Sequence, residues 1–330
     1  MKKKCCSHFC RRSRRWRSGL AMCSPSGHRN GRRRQPPARR TARRLPICSR
    51  ESSTSSPCRN RSRPRRDPMQ IELLPSNVGA GPGAGPRSRS AAQFLVSYLI
   101  NESVVIDAGS IGLLADLERQ RQVRHVFITH EHIDHIASLP ILLENVYEPG
   151  PGCVELLGAA DVLSFLHRDI FNGRVWPDFF DLSTASDPFL KATPLAAGEA
   201  LEREGLTITP LPVEHCVDTL GLVVDDGEAA VAFPSDTGPT DAFWRHLAAL
   251  PRLDAVFLEV SFPDSHRDLA AHTGHHCPTT FAAEVAKLSR PVRWIVVHRK
   301  ARFADAIAAE LAALSLPGVE LVEPGRAYTF

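Results

Sequence analysis

From Met69 onward the chain alternates short apolar runs with Gly, Pro and Asp, the texture of buried strands separated by turns. The runs at 70–74, 94–99, 103–107, 124–128, 154–157, 206–211, 220–224, 229–233, 254–259 and 292–297 are predicted strands. Apolar positions recur every three or four residues over 111–120, 137–146, 159–167, 240–249, 278–288 and 302–313, which predicts helices there. Strands interleaved with helices, without an internal repeat, indicate a layered α/β protein. The stretch Gly79 to Pro86 is expected to be a loop. It is not a dinucleotide fingerprint, because Pro82 and Pro86 interrupt its glycines and no helix opens after it.

Before Met69 the pattern vanishes. From Arg11 to Arg66 the chain is Arg, Ser and Pro with no apolar period, so ordering it would cost more than burial returns. Residues 1–68 hold 22 of the 41 Lys and Arg but only two acids, Glu51 and Asp67, a net +20 that leaves −15 for residues 69–330. The sequence pI of 8.8 therefore describes the extension. Two parts are expected: a basic Arg/Ser/Pro-rich disordered extension, 1–68, and a working domain, 69–330, for which Met69 would serve as a natural start. Nucleic acid would be bound only through the extension.

Six of the nine cysteines also lie before Met69, leaving Cys153, Cys216 and Cys277 for the domain. Three scattered cysteines make no disulfide framework, which favours a reducing compartment. No signal-peptide run follows the basic first residues, and no stretch approaches the roughly 20 apolar residues of a membrane span. The expected location is the cytoplasm, with no membrane partner.

The chemistry concentrates in His130-Glu131-His132-Ile133-Asp134-His135, directly after the apolar run Val126 to Thr129. Three imidazoles and a carboxylate at one strand end would compete for hydrogen-bond partners and repel when protonated; divalent cations satisfy them together. The H-E-x-x-H zinc motif fails, because Asp134 stands where it requires His. Instead His130 and His132 are expected to converge on one ion while Asp134 and His135 turn toward a second. Further ligands are polar residues at the mouths of apolar strands: His215 after Leu206 to Val213, Asp236 after Val231 to Ser235, and His298 after Trp294 to Val297. Any one alone reads as a turn residue. With the hexapeptide they complete two sites: His130, His132 and His215 at one, Asp134, His135 and His298 at the other, and Asp236 bridging.

These motifs, with Asp107-Ala108-Gly109 ahead of them, resemble the metallo-β-lactamase superfamily across nearly all of 69–330. The resemblance implies an αββα sandwich with the site at one edge of two packed sheets. It also implies two divalent metal ions, Zn2+ by expectation, and Asp107 holding a ligand imidazole by its other nitrogen. Within the superfamily, His130 through Leu139, Ser97 to Ile100, Glu259-Val260-Ser261-Phe262 and Gly274-His275 are similar to class II cyclic nucleotide phosphodiesterases. Ile133, His276 and Arg299 depart from that family's usual residues and touch the subfamily more than the metal site.

The resemblance implies hydrolysis of 3′,5′-cyclic nucleotides such as cyclic AMP to 5′-nucleotides by a metal-bridging hydroxide, with Asp134 in the catalytic centre. His275 is the expected phosphate contact or leaving-group donor, ahead of His272, the alternative being that 272–276 is a His-rich surface loop. Cys216 is expected to be a small buried residue. Rival readings are a phosphodiesterase resembling ribonuclease Z, another hydrolase on the same scaffold, and a non-catalytic zinc protein. The expected partner is a small-molecule substrate, with room for a homodimer.

Overall fold

The computed structural model describes residues 67–76, 94–148 and 153–330. The chain divides into two units, Met1–Arg63 and Pro64–Phe330, and every described residue belongs to the second. The basic extension, save Asp67 and Pro68, and the Gly79–Pro86 loop lie outside the described residues.

Two seven-stranded sheets form the body. The first contains β1 (Gln70–Leu73), β2 (Tyr98–Ile100), β3 (Val104–Ile106), β4 (His125–Ile128), β5 (Val154–Gly158) and β6 (Leu190–Pro194) in chain order. The second contains β7 (Leu201–Arg203), β8 (Leu206–Val213), β9 (Thr219–Asp225), β10 (Ala230–Phe233), β11 (Ala255–Glu259), β12 (Arg293–Val297) and β13 (Val319–Leu321). The last strand, β14 (Ala327–Thr329), returns to the first sheet and pairs antiparallel with β1. Strands β3 to β6 run parallel, as do β10 to β13; β8 joins β10 through two antiparallel pairings and so points the same way. The C-terminal ends of β3, β4, β8, β10, β11 and β12 are therefore the places where the chain leaves the sheets beside the site.

Alternation along the strands divides the apolar residues among three layers. Phe127, Phe233, Phe257 and Ile295 meet between the sheets. Val126, Ile128 and Leu156 face outward, against α3 (Leu139–Asn145) and α4 (Ala160–Phe165). Val256, Leu258 and Trp294 face outward on the other side, against α6 (Ala242–Ala249), α8 (Pro278–Val285) and α9 (Ala304–Leu314). The layers are helix, sheet, sheet, helix, the expected αββα sandwich. Four further α-helices occur among the described residues: α1 (Leu117–Gln122), α2 (Ile133–Ile136), α5 (Phe179–Leu182) and α7 (Arg267–Thr273).

Several boundaries differ from the sequence reading. The run 94–99 enters a strand only at Tyr98, because the Val96 N–H donates to Asp134 O and Val96 O accepts from the Gly109 N–H, both on the site loops. The helix expected over 111–120 is a 3-10 turn at Ile111–Leu113 and then α1, whose start is set by Asp116 accepting from the Glu118 and Arg119 N–H groups. The helix expected over 137–146 becomes α2 and α3, with Pro140 in the first turn of α3, where a missing N–H is tolerated. Strands β6, β7, β13 and β14 were not expected. They are short and lie at or next to sheet edges, where one face is wet and no apolar run is needed.

Candidate metal centre

All seven expected ligands come together in two quartets that share one residue. His130, His132, His215 and Asp236 form one; Asp134, His135, Asp236 and His298 form the other. In the first, His132 Nδ1 lies 3.0 Å from His130 Nε2 and 3.2 Å from His215 Nε2. In the second, His298 Nε2 lies 3.1 Å from Asp134 Oδ2. Asp236 divides its oxygens: Oδ2 faces His130 Nε2 at 3.9 Å, while Oδ1 stands 3.4 Å from both His135 Nε2 and His298 Nδ1.

Four of the five imidazoles are oriented by what the other nitrogen meets. Asp107 Oδ2 lies 2.6 Å from His135 Nδ1, and Gly274 O lies 2.9 Å from His215 Nδ1; a carboxylate and a carbonyl only accept, so both Nδ1 atoms carry the proton. Thr129 Oγ1 donates to Asp107 and stands 3.0 Å from His130 Nδ1, which turns His130 Nε2 toward the cluster. Ser261 Oγ does the same for His298 Nδ1 at 2.8 Å.

The backbone is bent to deliver these groups. Asp107, Ser235 and His298 follow β3, β10 and β12 with φ of 61°, 60° and 53°, a region costly for residues with a Cβ and typical of functional sites. Gly109 is required on other grounds. A Cβ there would stand 2.0 Å from Asp134 O, in the turn where the Ala108 N–H donates to His135 O.

Electrostatics separates the two halves. Burial, aided by neighbouring imidazoles, holds His130 well below the ordinary histidine range, and burial lowers His132 and His215 too, so their lone pairs are available. Burial also opposes a proton on His135, but the Asp236 and Asp107 carboxylates outweigh it and hold this imidazole well above its ordinary range. That half is built for positive charge. His135 Nε2 is moreover buried without a hydrogen-bond partner. An orphaned nitrogen facing the Asp236 and Asp134 carboxylates, with further imidazoles around it, fits divalent cations, as N/O donor sets of this kind do.

Next to the ligands, His275 is buried, its Nδ1 2.6 Å from Glu259 Oε1. Its ring centroid lies 5.0 Å from that of His215 and 5.7 Å from that of His298. Burial would lower the His275 pKa, but Glu259 raises it above the ordinary range. Glu259, His275 and His298 form a third close group, but the short His275–Glu259 contact already engages two of its members. His272 is exposed on α7, so 272–276 is a helix end with buried His275 and His276 after it, not a surface loop. Cys216 reverses its expectation: it is exposed at the mouth, Sγ 3.6 Å from His215 Nε2, because the chain has already left β8. Glu259 was not assigned a role from sequence, although it ends the apolar run of β11 just as the ligands end theirs.

A family model described as beta-lactamase superfamily domain matches residues 103–299. Among curated proteins, a probable 3′,5′-cyclic-nucleotide phosphodiesterase of Yersinia pestis is 27% identical over 239 residues, spanning 59% of this chain and 68% of the relative. A ribonuclease Z of Geobacillus kaustophilus is 25% identical over 285 residues, spanning 74% of this chain and 92% of the relative. Among solved structures, unliganded yeast PDE1 superposes with a TM-score of 0.63 at 17% identity, covering 80% of this chain and 100% of that one.

Proposed function

The chain belongs to the beta-lactamase superfamily and is a metallo-β-lactamase-fold hydrolase, and from that premise we propose that it hydrolyses 3′,5′-cyclic nucleotides to 5′-nucleotides. His130, His132, His215 and Asp236 would hold one divalent cation and Asp134, His135, Asp236 and His298 a second, zinc being the metal best suited to this donor set. Bound there, the cations supply Lewis acidity toward phosphoryl oxygens and lower the pKa of water for attack on phosphorus.

The observation that carries the reading is His275. Its Nδ1 is paired with Glu259, which raises the imidazole's pKa above the ordinary histidine range, and its ring lies against residues of both quartets. From that position it would donate a proton to the departing 3′-oxygen as the P–O bond breaks, while water supplies the new P–O bond. The likeness to a probable 3′,5′-cyclic-nucleotide phosphodiesterase supports the same substrate class.

Ribonuclease Z-like cleavage of RNA is the second reading, favoured by the longer match to that relative. Against it stands a cleft of about 460 Å3 lined by Glu131, Asp161, Val217 and Asp218, of which Glu131 lies between His130 and His132 in the chain. Its size suits a small substrate, and its carboxylates oppose a second phosphate.

The test is to assay the metal-loaded full chain and residues 69–330 alone against cyclic AMP, cyclic GMP, bis(p-nitrophenyl) phosphate and a tRNA precursor. Cyclic nucleotides should be turned over by both lengths. Cleavage of the tRNA precursor alone would replace this reading with the second, and an inactive or insoluble 69–330 would give the extension a structural part.

A further inference from the structure

The chain has three lysines after Met69. Lys191 is ion-paired with Glu155, and Lys287 with Asp241 and Glu284, whereas Lys300 has no hydrogen bond or ion pair among the described residues. It lies two positions after His298, in the segment Arg299-Lys300-Ala301-Arg302, and the two arginines beside it also lack an ion pair among the described residues. Three unpaired cations in four residues stand out in a domain of net −15. Charge left unopposed beside a centre suited to phosphoryl chemistry points to an anion.

The geometry singles out Lys300. Its Nζ lies 5.5 Å from the centroid of the Phe262 ring, within cation–π range, and that centroid lies 5.7 Å from the centroid of the His275 imidazole. One aromatic ring thus has the proposed leaving-group donor and an unpaired ammonium against it. Phe262 is buried with Ala270 and Cys277 and packed by Phe303, so this platform is fixed. The backbone under Lys300 is fixed too: Ser261 Oγ donates to His298 O at 3.1 Å, and the Phe303 N–H donates to Lys300 O at 2.8 Å in the 3-10 turn Ala301–Phe303. The Lys300 charge is near enough to oppose the proton on His275 that Glu259 favours. Arg302 instead lies 5.3 Å over the ring of Phe303, and Arg299 is buried.

We propose that Lys300 is a substrate contact, its ammonium donating to a phosphoryl oxygen of the bound diester beside His275. An ammonium is a compact charge with three donors, suited to an oxygen whose charge grows as a diester monoanion becomes a monoester dianion. The effect on turnover rests on reading the centre as a phosphodiesterase, for a cyclic nucleotide or for RNA; the capture of phosphate by Lys300 does not.

The experiment uses the metal-loaded full chain with its Lys300→Met and Lys300→Arg variants. Calorimetric titration with inorganic phosphate measures binding without turnover, and hydrolysis of bis(p-nitrophenyl) phosphate at rising NaCl measures KM. Lys300→Met should bind phosphate about 10-fold more weakly and raise KM by a similar factor, with metal content unchanged. Its KM should also depend less steeply on salt. Lys300→Arg should recover most of both, because it restores the charge. Phosphate affinity unchanged in Lys300→Met, or absent in the wild type, overturns the proposal, and so does a loss that Lys300→Arg fails to recover. If phosphate binding behaves as expected while the wild type hydrolyses no diester, the anion contact stands and it is the phosphodiesterase reading that fails.

Discussion

Asp107 and His135 meet through a 2.6 Å contact between Oδ2 and Nδ1, with each side chain 1% exposed. The same carboxylate accepts from the Thr129 backbone N–H and hydroxyl, and Thr129 in turn orients His130. One residue at the end of β3 therefore sets the direction of an imidazole in each quartet.

Asp107→Asn should weaken metal binding most at the His135 half, by about 10–100-fold, the usual cost of losing an outer carboxylate. Competition against a graded chelator measures it. Unchanged affinity for both ions would show that the strand ends alone suffice to aim the ligands.

Asp236→Ala should lose affinity for both cations, because its two oxygens face different quartets. His298→Ala should empty mainly one. Elemental analysis after dialysis distinguishes them, and two full equivalents retained by Asp236→Ala would place the bridge elsewhere.

His275→Ala should leave metal content unchanged and lower turnover of a cyclic nucleotide by about 10²–10⁴-fold, the range of a general-acid or electrostatic contribution. The loss should shrink on an activated aryl phosphodiester. Equal losses would leave His275 as a phosphate contact.

Glu155, on β5 of the first sheet, accepts from Arg203 of β7 in the second at 2.6 Å and from Lys191 and Thr193 of β6 at 2.7 and 2.6 Å. Burial would raise its pKa, but these partners hold it well below the ordinary carboxylate range. A depressed pKa contributes stability above the unfolded-state value, near 4.3, that is lost as pH falls toward the folded-state value. Glu155→Gln should cost about 1–3 kcal/mol at neutral pH, and the gap to wild type should narrow below about pH 4. Denaturant midpoints across pH measure it; a gap independent of pH would deny the cluster this role.

The candidate ligands stand out in the sequence because His215, Asp236 and His298 each follow an apolar run where a buried strand has no other need of a polar group. The hexapeptide was legible because three imidazoles so close have no ordinary structural use. The central strands were legible for a related reason: β4, β11 and β12 lie between helices and a second sheet, so almost every position in them is apolar. Edge strands such as β7 and β14 carry no such constraint and were missed.

Only the tertiary structure decided which polar residues outside the expected ligand set join it. Glu259 and His275 are 16 residues apart and meet because α7 ends at Gly274, in the left-handed conformation, beside His215. That the two oxygens of Asp236 face separate quartets depends on the angle at which β10 delivers one carboxylate between loops from both sheets. Polarity at a strand end is local and is written in the sequence; which strand ends converge depends on sheet order and packing, which the local pattern does not encode.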